Sequence, residues 1–179
     1  LTCGLQLLRQ RRRDVAGPAC RRMSMEPFYR RLPFALTGAQ RRAIADAVED
    51  MVSGKPMNRL CQGDVGSGKT MVAAAAAYCA ARNGAQTALM APTEILAEQH
   101  FASLSALFVP LGVSVALLTG SMTGKQKKDV RERIAAGEVQ VVIGTHALLS
   151  ESTRFEHLGL VITDEQHRFG VGQRSRLSA

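Results

Sequence analysis

A phosphate-binding loop is the clearest chemical pattern in the sequence. The stretch Gly63–Thr70 fits the pattern G-x-x-x-x-G-K-[ST] at every constrained position. Its glycines let the backbone turn tightly, so that successive N–H groups converge on a polyphosphate. Lys69 supplies a charge for the β- and γ-phosphates, and the Thr70 hydroxyl is placed to bind Mg²⁺. The nucleotide-binding residues predicted from this loop are Gly63, Gly66, Ser67, Gly68, Lys69 and Thr70.

The structural alternative is a glycine-rich turn that happens to carry Lys-Thr. The context argues against it, because the stretch 58–62 reads as a short strand before the loop and the alanine-rich stretch 71–82 as a helix after it. A strand, a loop and a helix in this order are the context that the motif requires. The helix also directs its N-terminal amides and positive dipole end at anionic oxygens. The sequence therefore predicts nucleotide binding here.

An acidic pair at the end of a later apolar strand is the second chemical pattern. Asp164 can hold Mg²⁺ through its water shell, and Glu165 can accept a proton from the water that attacks the γ-phosphorus. A solvated turn is the structural alternative, but the phosphate loop earlier in the chain favours the catalytic interpretation. His167 could sense the γ-phosphate, whereas simple hydrogen-bonding roles stay open for His100 and His146.

Strands and helices alternate along the chain and must position these groups. The strands are nearly continuous apolar runs, which predicts an α/β fold with a parallel sheet and helices on both faces. Ligands of such sheets lie beyond the carboxyl ends of the strands, where each polar cluster of this sequence falls. The predicted strands are 58–62, 86–91, 113–118, 139–143 and 158–163, and the predicted helices are 71–82, 94–108 and 126–136.

A further helix is predicted upstream, ending near Val52. Thr37 and Gln40 have the spacing of a capping box, which would start this helix. A glutamine just before a phosphate loop could also contact the edge of an adenine. The sequence leaves both interpretations of Gln40 open.

Charge is distributed unevenly along the 179 residues, whose net charge is +8. Residues 1–42 hold ten arginines and two acidic residues, whereas residues 43–179 hold thirteen basic and thirteen acidic residues. The globular part is thus neutral, which weakens any argument for nucleic-acid binding from bulk charge. Residues 1–31 are interpreted as a basic linker or the end of a preceding domain, with weak helical periodicity around residues 5–8.

Cysteine usage and hydropathy limit the cellular setting. The four cysteines form no C-x-x-C pair and have no histidine at metal spacing, so a reducing, cytoplasmic environment is expected. No apolar run reaches ~18 residues, so no membrane span is expected. The cysteines are Cys3, Cys20, Cys61 and Cys79.

The sequence Asp164-Glu165-Gln166-His167 after a GSGKT loop resembles the first motor lobe of superfamily 2 nucleic-acid translocases, a RecA-like P-loop NTPase lobe. Residues 56–70, 90–100, 144–149 and 164–170 closely resemble the RecG family of branched-DNA helicases. The related transcription-repair coupling factors usually have Phe at the position of Ser67, Glu at that of Gln166 and Pro-Thr-Thr at 92–94. These differences favour the RecG family.

The resemblance implies ATP and Mg²⁺ as cofactors and gives roles to single residues. Lys69, Asp164, Glu165, Gln166 and His167 would form the catalytic set, with Thr70 and Asp164 serving Mg²⁺. Gln40, together with Phe34, would contact adenine. The residues that would face the DNA backbone are Pro92, Thr93, Glu94, Thr119, Gly120, Ser121, Gly144, Thr145 and His146.

Backbone contacts of this kind position a strand without reading its sequence, which suits a motor that passes over any base. Thr163 stands where the family commonly has an aliphatic residue.

The resemblance also implies parts that this chain lacks. Residues 32–179 would be an N-terminal ATP-binding lobe truncated after the DEQH motif, and residues 1–31 would hold at most the end of a wedge domain. A second motor lobe is absent, so the fragment alone is expected to be inactive. The intact protein would be a monomeric helicase acting on stalled forks and Holliday junctions at the bacterial nucleoid, in recombination and repair. The alternatives are a motor lobe of the coupling-factor type and a nucleotide-binding module without turnover.

One structural expectation follows from the resemblance. The strands ending at Gln62 and Thr163 should lie two strand spacings apart, about 9–10 Å, because the strand between them would follow Ala179. Nothing in the chain is expected to fill that gap.

Overall fold

A six-stranded sheet forms the centre of the protein. The computed structural model describes residues 2–8, 20–53, 58–64, 68–150 and 152–165. The strand order is β2-β1-β6-β3-β5-β4. The four strands β6, β3, β5 and β4 are parallel, whereas β1 is antiparallel to both of its neighbours. The strands are β1 (Thr2–Leu8), β2 (Asn58–Asp64), β3 (Gln86–Met90), β4 (Val115–Leu118), β5 (Val141–Gly144) and β6 (Leu158–Glu165).

The central parallel strands are buried on both faces, as nearly continuous apolar sequences predict, whereas the edge strand β4 is buried only at Ala116 and Leu118. All residues of β3 and β5 are buried. The helices of the described residues are α1 (Glu26–Arg31), α2 (Gly38–Val52), α3 (Lys69–Arg82), α4 (Glu94–Phe108) and α5 (Gly124–Ala135), with 3-10 turns at Val109–Leu111 and His146–Leu149.

Threonines start three of these helices. The Thr93 hydroxyl accepts a hydrogen bond from the backbone N–H of Leu96, and Thr37 and Thr123 each form a capping box with the glutamine three residues later. The helix starts predicted at Thr37 and Thr93 are thus confirmed. Among the described residues, no helix is long and apolar enough to cross a membrane.

Helices cover both faces of the sheet, as predicted. On one face α1 to α4 pack in a core that includes Phe28, Ile44 and Phe108, and on the other α5 contributes Val130 and Ile134. Helix α3 is buried continuously from Val72 to Ala81. A helix that is apolar all round must be enclosed, and alanine side chains allow its neighbours to approach closely.

The first strand was not predicted and corrects two expectations. Residues 5–8 lie in a strand and not in a helix, so the weak helical periodicity there is overridden by pairing with the sheet. The phosphate-loop strand β2 and the acidic strand β6 are indeed not neighbours, but the predicted empty gap between them is wrong. Strand β1 fills it, with Leu5 paired to both Cys61 and Asp164.

The described part of residues 20–31 also packs against the core. Cys20, Met25 and Phe28 are buried, and the Phe28 ring stacks on Tyr78 of α3 with ring centroids 5.7 Å apart. The backbone N–H of Arg21 donates to the Asn83 side chain at 2.7 Å. A domain boundary at Leu32 stays a prediction, but these residues are continuous with the core of the lobe.

Candidate functional site

The carboxyl ends of the strands bring the predicted site residues to one edge of the sheet. Strands β2 and β6 run in the same direction, because β1 is antiparallel to each. Through β1, Gln62 is level with Glu165, and the two strands are about 9–10 Å apart. Helix α3 starts after β2 at this edge. The register thus brings the ends of the phosphate-loop strand and the acidic strand to the same level.

Gly68 makes the turn from the phosphate loop into α3. Its backbone is left-handed, with φ 75° and ψ 25°, a conformation that glycine adopts without strain. A Cβ at this position would also overlap Nε2 of Gln40. Glycine is therefore required here both for the turn and for the close approach of Gln40. Lys69 and Thr70 form the first turn of α3 and are partly exposed.

Gln40 joins the start of α2 to the phosphate loop. Its Oε1 accepts from the backbone N–H of Thr37 at 2.8 Å, and its own N–H donates to Thr37 Oγ1 at 3.2 Å. The capping interpretation is confirmed, while the side chain also lies against Gly68. The predicted adenine contact stays a prediction, and the Phe34 side chain assigned to the same role is half exposed, at 50%.

Asp164 is paired with a histidine that the sequence did not assign to the site. His100 Nε2 lies 3.1 Å from Asp164 Oδ2, and each side chain is only 15% exposed. His100 comes from α4, three residues after Ala97 and four before Leu104, which are both fully buried. This spacing puts His100 on the buried face of the helix and was the signal available in the sequence.

The oxygen donors of the site suit Mg²⁺. Thr70 offers a hydroxyl and Asp164 a carboxylate, which are the hard ligands that this ion prefers. His100 donates to Oδ2 of Asp164, which leaves Oδ1 without a hydrogen bond from His100. The donor set therefore fits the ion that the phosphate loop implies.

A cleft of about 550 Å³ opens at the carboxyl ends of β3, β5 and β4. Six of its lining residues belong to the predicted DNA-facing set: Pro92, Thr93, Glu94, Gly120, Thr145 and His146. Three were not predicted: Lys127 and Arg131 of α5, and Ala147. Lys127 and Arg131 outnumber the one carboxylate of the lining, Glu94, and positive charge favours binding of a phosphate backbone.

Glu94 holds the loop after β4. Its Oε1 accepts from the backbone N–H of Ser121 at 2.9 Å, and Lys127 Nζ donates to the carbonyl oxygen of Gly120 at 2.5 Å. The Ser121 hydroxyl, with the backbone N–H of the same residue, holds the pKa of Glu94 below its usual value. The carboxylate therefore organises the loop from α4 while Lys127 secures it from α5.

Three members of the predicted DNA-facing set are not among the residues lining the cleft. Thr119 is buried, with Oγ1 3.3 Å from the Ser121 hydroxyl. Gly144 is buried as well, and a Cβ there would overlap the carbonyl oxygen of Leu118. The glycine at 144 therefore has a packing reason. Ser121 is exposed, and its backbone is held by Glu94.

Part of the predicted site lies outside the described residues. Gly66, Ser67, Gln166 and His167 are in this group. Gly63 and Glu165 are placed by the backbone alone, at the ends of β2 and β6.

The family comparison agrees with this geometry. A family model described as DEAD/DEAH box helicase matches residues 37–179. The chain is similar to the ATP-dependent DNA helicase RecG of Bacillus subtilis (strain 168), with 53% identity over 176 residues. It is 57% identical over 143 residues to the protein of the same name from Streptococcus pneumoniae serotype 4. The similarity of this chain to these two proteins favours the RecG type over the coupling-factor type.

A solved structure is similar as well. It is described as RecG bound to a three-way DNA junction, with 43% identity and a TM-score of 0.75 over 87% of this chain. The likeness to the Bacillus subtilis protein covers 97% of this chain, so it extends well before Leu32, the first residue of the predicted lobe. This chain spans only 26% of that relative, 21% of the Streptococcus pneumoniae protein and 22% of the solved chain.

Proposed function

Because the chain belongs to the DEAD/DEAH box helicase family, we propose that it is the ATP-binding motor lobe of a DNA helicase acting on branched DNA. The substrates would be stalled forks and Holliday junctions processed during recombination and repair in the bacterial cytoplasm. One observation carries the proposal: the phosphate-loop helix, Asp164 and a cleft with two basic residues share one edge of the sheet. The intact protein would be a monomer that includes a wedge domain and a second motor lobe.

At the nucleotide side, the residues of this chain bind and orient. The first turn of α3 directs backbone amides at the phosphates, Lys69 neutralises their charge, and Gln40 approaches the loop at Gly68. Mg²⁺ held near Thr70 and Asp164 would neutralise charge that develops on the phosphates. Glu165, at the end of β6, is the proposed acceptor of the proton from the attacking water.

At the cleft, the contacts would hold a strand by its backbone. The N-terminus of α4 at Thr93 offers amides, Thr145 offers a hydroxyl, and Lys127 and Arg131 offer charge. These groups suit phosphate oxygens and do not distinguish bases. A helicase that works on any sequence needs this kind of contact.

The test is to assay nucleotide binding and ATPase in the full-length protein, with forked, single-stranded and no DNA. Lys69→Ala should abolish nucleotide binding, because the loop loses the charge aimed at the β- and γ-phosphates. Glu165→Gln should keep binding but lose turnover by about 10²–10⁴-fold, since only the proton acceptor is removed. Lys125→Ala, an exposed lysine of α5, is the control.

Undiminished ATPase in Glu165→Gln would contradict the role of this residue. Binding without any turnover in the wild-type full-length protein would favour the nucleotide-binding module. ATPase that does not respond to forked DNA would contradict the proposed substrate.

A further inference from the structure

The function proposed above uses Asp164 but gives no role to the histidine that is hydrogen-bonded to it, His100. The two residues are 64 positions apart in the chain and meet only because α4 packs against the sheet beside the end of β6. Their side chains are equally shielded, at 15% exposure. A hydrogen bond to a carboxylate in this setting restricts the rotation of the carboxyl group. It also leaves Oδ1 of Asp164 outside this hydrogen bond.

Helix α4 fixes the position of the His100 side chain. Its start is capped by Thr93, and its buried side chains Ala97, Leu104 and Phe108 are fully enclosed in the core. The Nε2 atom of His100 can donate to the carboxylate while the rest of the ring is held by the helix. The orientation of the Asp164 carboxylate is therefore fixed by a residue outside the predicted nucleotide-binding and metal-binding set.

We infer that His100 is a positioning residue, which orients Asp164 so that its remaining oxygen serves the water shell of Mg²⁺. The inference rests on the proposed function, because it concerns the metal that accompanies the nucleotide. Residues that orient metal ligands typically contribute about 10–100-fold to metal affinity. The contribution of His100 should therefore appear only in nucleotide binding that depends on Mg²⁺.

The experiment measures the affinity of the full-length protein for a fluorescent ADP, with Mg²⁺ and with EDTA. His100→Leu and His100→Phe remove the donor, the second with a side chain close to the ring in size. His100→Gln keeps an N–H donor at about the distance of Nε2. Gln99→Leu is the matched control, since Gln99 is the exposed neighbour on the same helix.

We expect the Leu and Phe variants to lose about 10–100-fold in affinity with Mg²⁺ and nothing with EDTA. The EDTA affinity also reports whether each variant is folded. The Gln variant should recover most of the loss, and the Gln99 control should equal the wild type.

Equal Mg²⁺ dependence in the wild type and in the Leu and Phe variants would overturn the inference, while leaving nucleotide binding intact. A Gln variant as weak as the Leu and Phe variants would also overturn it, because the hydrogen bond would then not be the cause. A wild type that binds no nucleotide at all would overturn the proposed function instead, and with it the inference.

Discussion

Two buried threonines illustrate how single residues of the sheet differ in their polar contacts. Thr163 precedes Asp164 on β6 and is 3% exposed, and its Oγ1 has no hydrogen-bond partner in the part of the chain that the structure describes. Thr119 is 1% exposed, but its Oγ1 lies 3.3 Å from the Ser121 hydroxyl. A buried hydroxyl without a partner costs about 1–3 kcal/mol of stability.

Thr163→Val and Thr119→Val are expected to change the Tm in opposite directions. Thr163→Val should raise the Tm, because the shape is nearly kept and an unsatisfied hydroxyl is removed. Each kcal/mol corresponds to about 2–4 °C in a domain of this size. Thr119→Val should lower the Tm, because it breaks a hydrogen bond. Thermal melts followed by circular dichroism test both, and a fall in the Tm of Thr163→Val would contradict the expectation.

The elements around the cleft act together on one loop. Helix α4 reaches the segment after β4 through Glu94, and α5 reaches it through Lys127. Arg131 lies one turn further along α5, and its Nε donates to Thr153 Oγ1 at 3.3 Å. The adjacent lysine, Lys128, is turned outward, with its side chain 78% exposed and 3.8 Å from Glu132. One helix thus carries a lysine in the cleft and a lysine in solvent.

This arrangement predicts different effects for two neighbouring substitutions in the full-length protein. Lys127→Ala should weaken binding to DNA of any sequence and reduce the slope of log affinity against log salt by about 1, because one phosphate contact is lost. Lys128→Ala should leave the slope unchanged. Binding measured at several salt concentrations on one forked substrate provides the slopes. Equal slopes in the two variants would contradict the role of the cleft.

The whole sheet depends on its first strand. Strand β1 contributes the only pairing, among the described residues, between β2 and the remaining four strands. Without it, backbone groups of β2 and β6 would face each other across an empty spacing. Several unsatisfied backbone groups would each cost about 1–3 kcal/mol. Their sum would remove much of the free energy of unfolding of a domain, which is about 5–15 kcal/mol.

Leu5→Pro is therefore expected to destabilise the 179-residue chain severely, because Leu5 lies between two paired strands and proline lacks the backbone N–H that a central strand donates to its ladder. Leu1→Pro is the matched control, since that residue precedes the strand. Urea unfolding and light scattering would measure the loss of stability and the aggregation. A midpoint for Leu5→Pro equal to that of Leu1→Pro would show that β1 is not what joins β2 to β6.

The features that depend on neighbouring residues could be predicted from the sequence. The helix after the phosphate-loop pattern, the threonine caps at Thr37 and Thr93 and the bounds of α4 all follow from interactions within a few residues. The parallel strands followed from unbroken apolar runs, and helices on both faces followed from their alternation. Local rules suffice here because each signal is contained in one helical turn or one strand.

Only the tertiary structure decided how distant residues meet. The hydrogen bonds of Asp164 to His100 and of Ser121 to Glu94 join residues 64 and 27 positions apart. Both depend on which strands are neighbours, and apolar strand sequences do not encode their order. Strand β1 is the same case, because its weak local preference for helix was overridden by backbone pairing on both sides. The residue types of the site could therefore be identified from the sequence, whereas the strand order of the sheet determined which residues they contact.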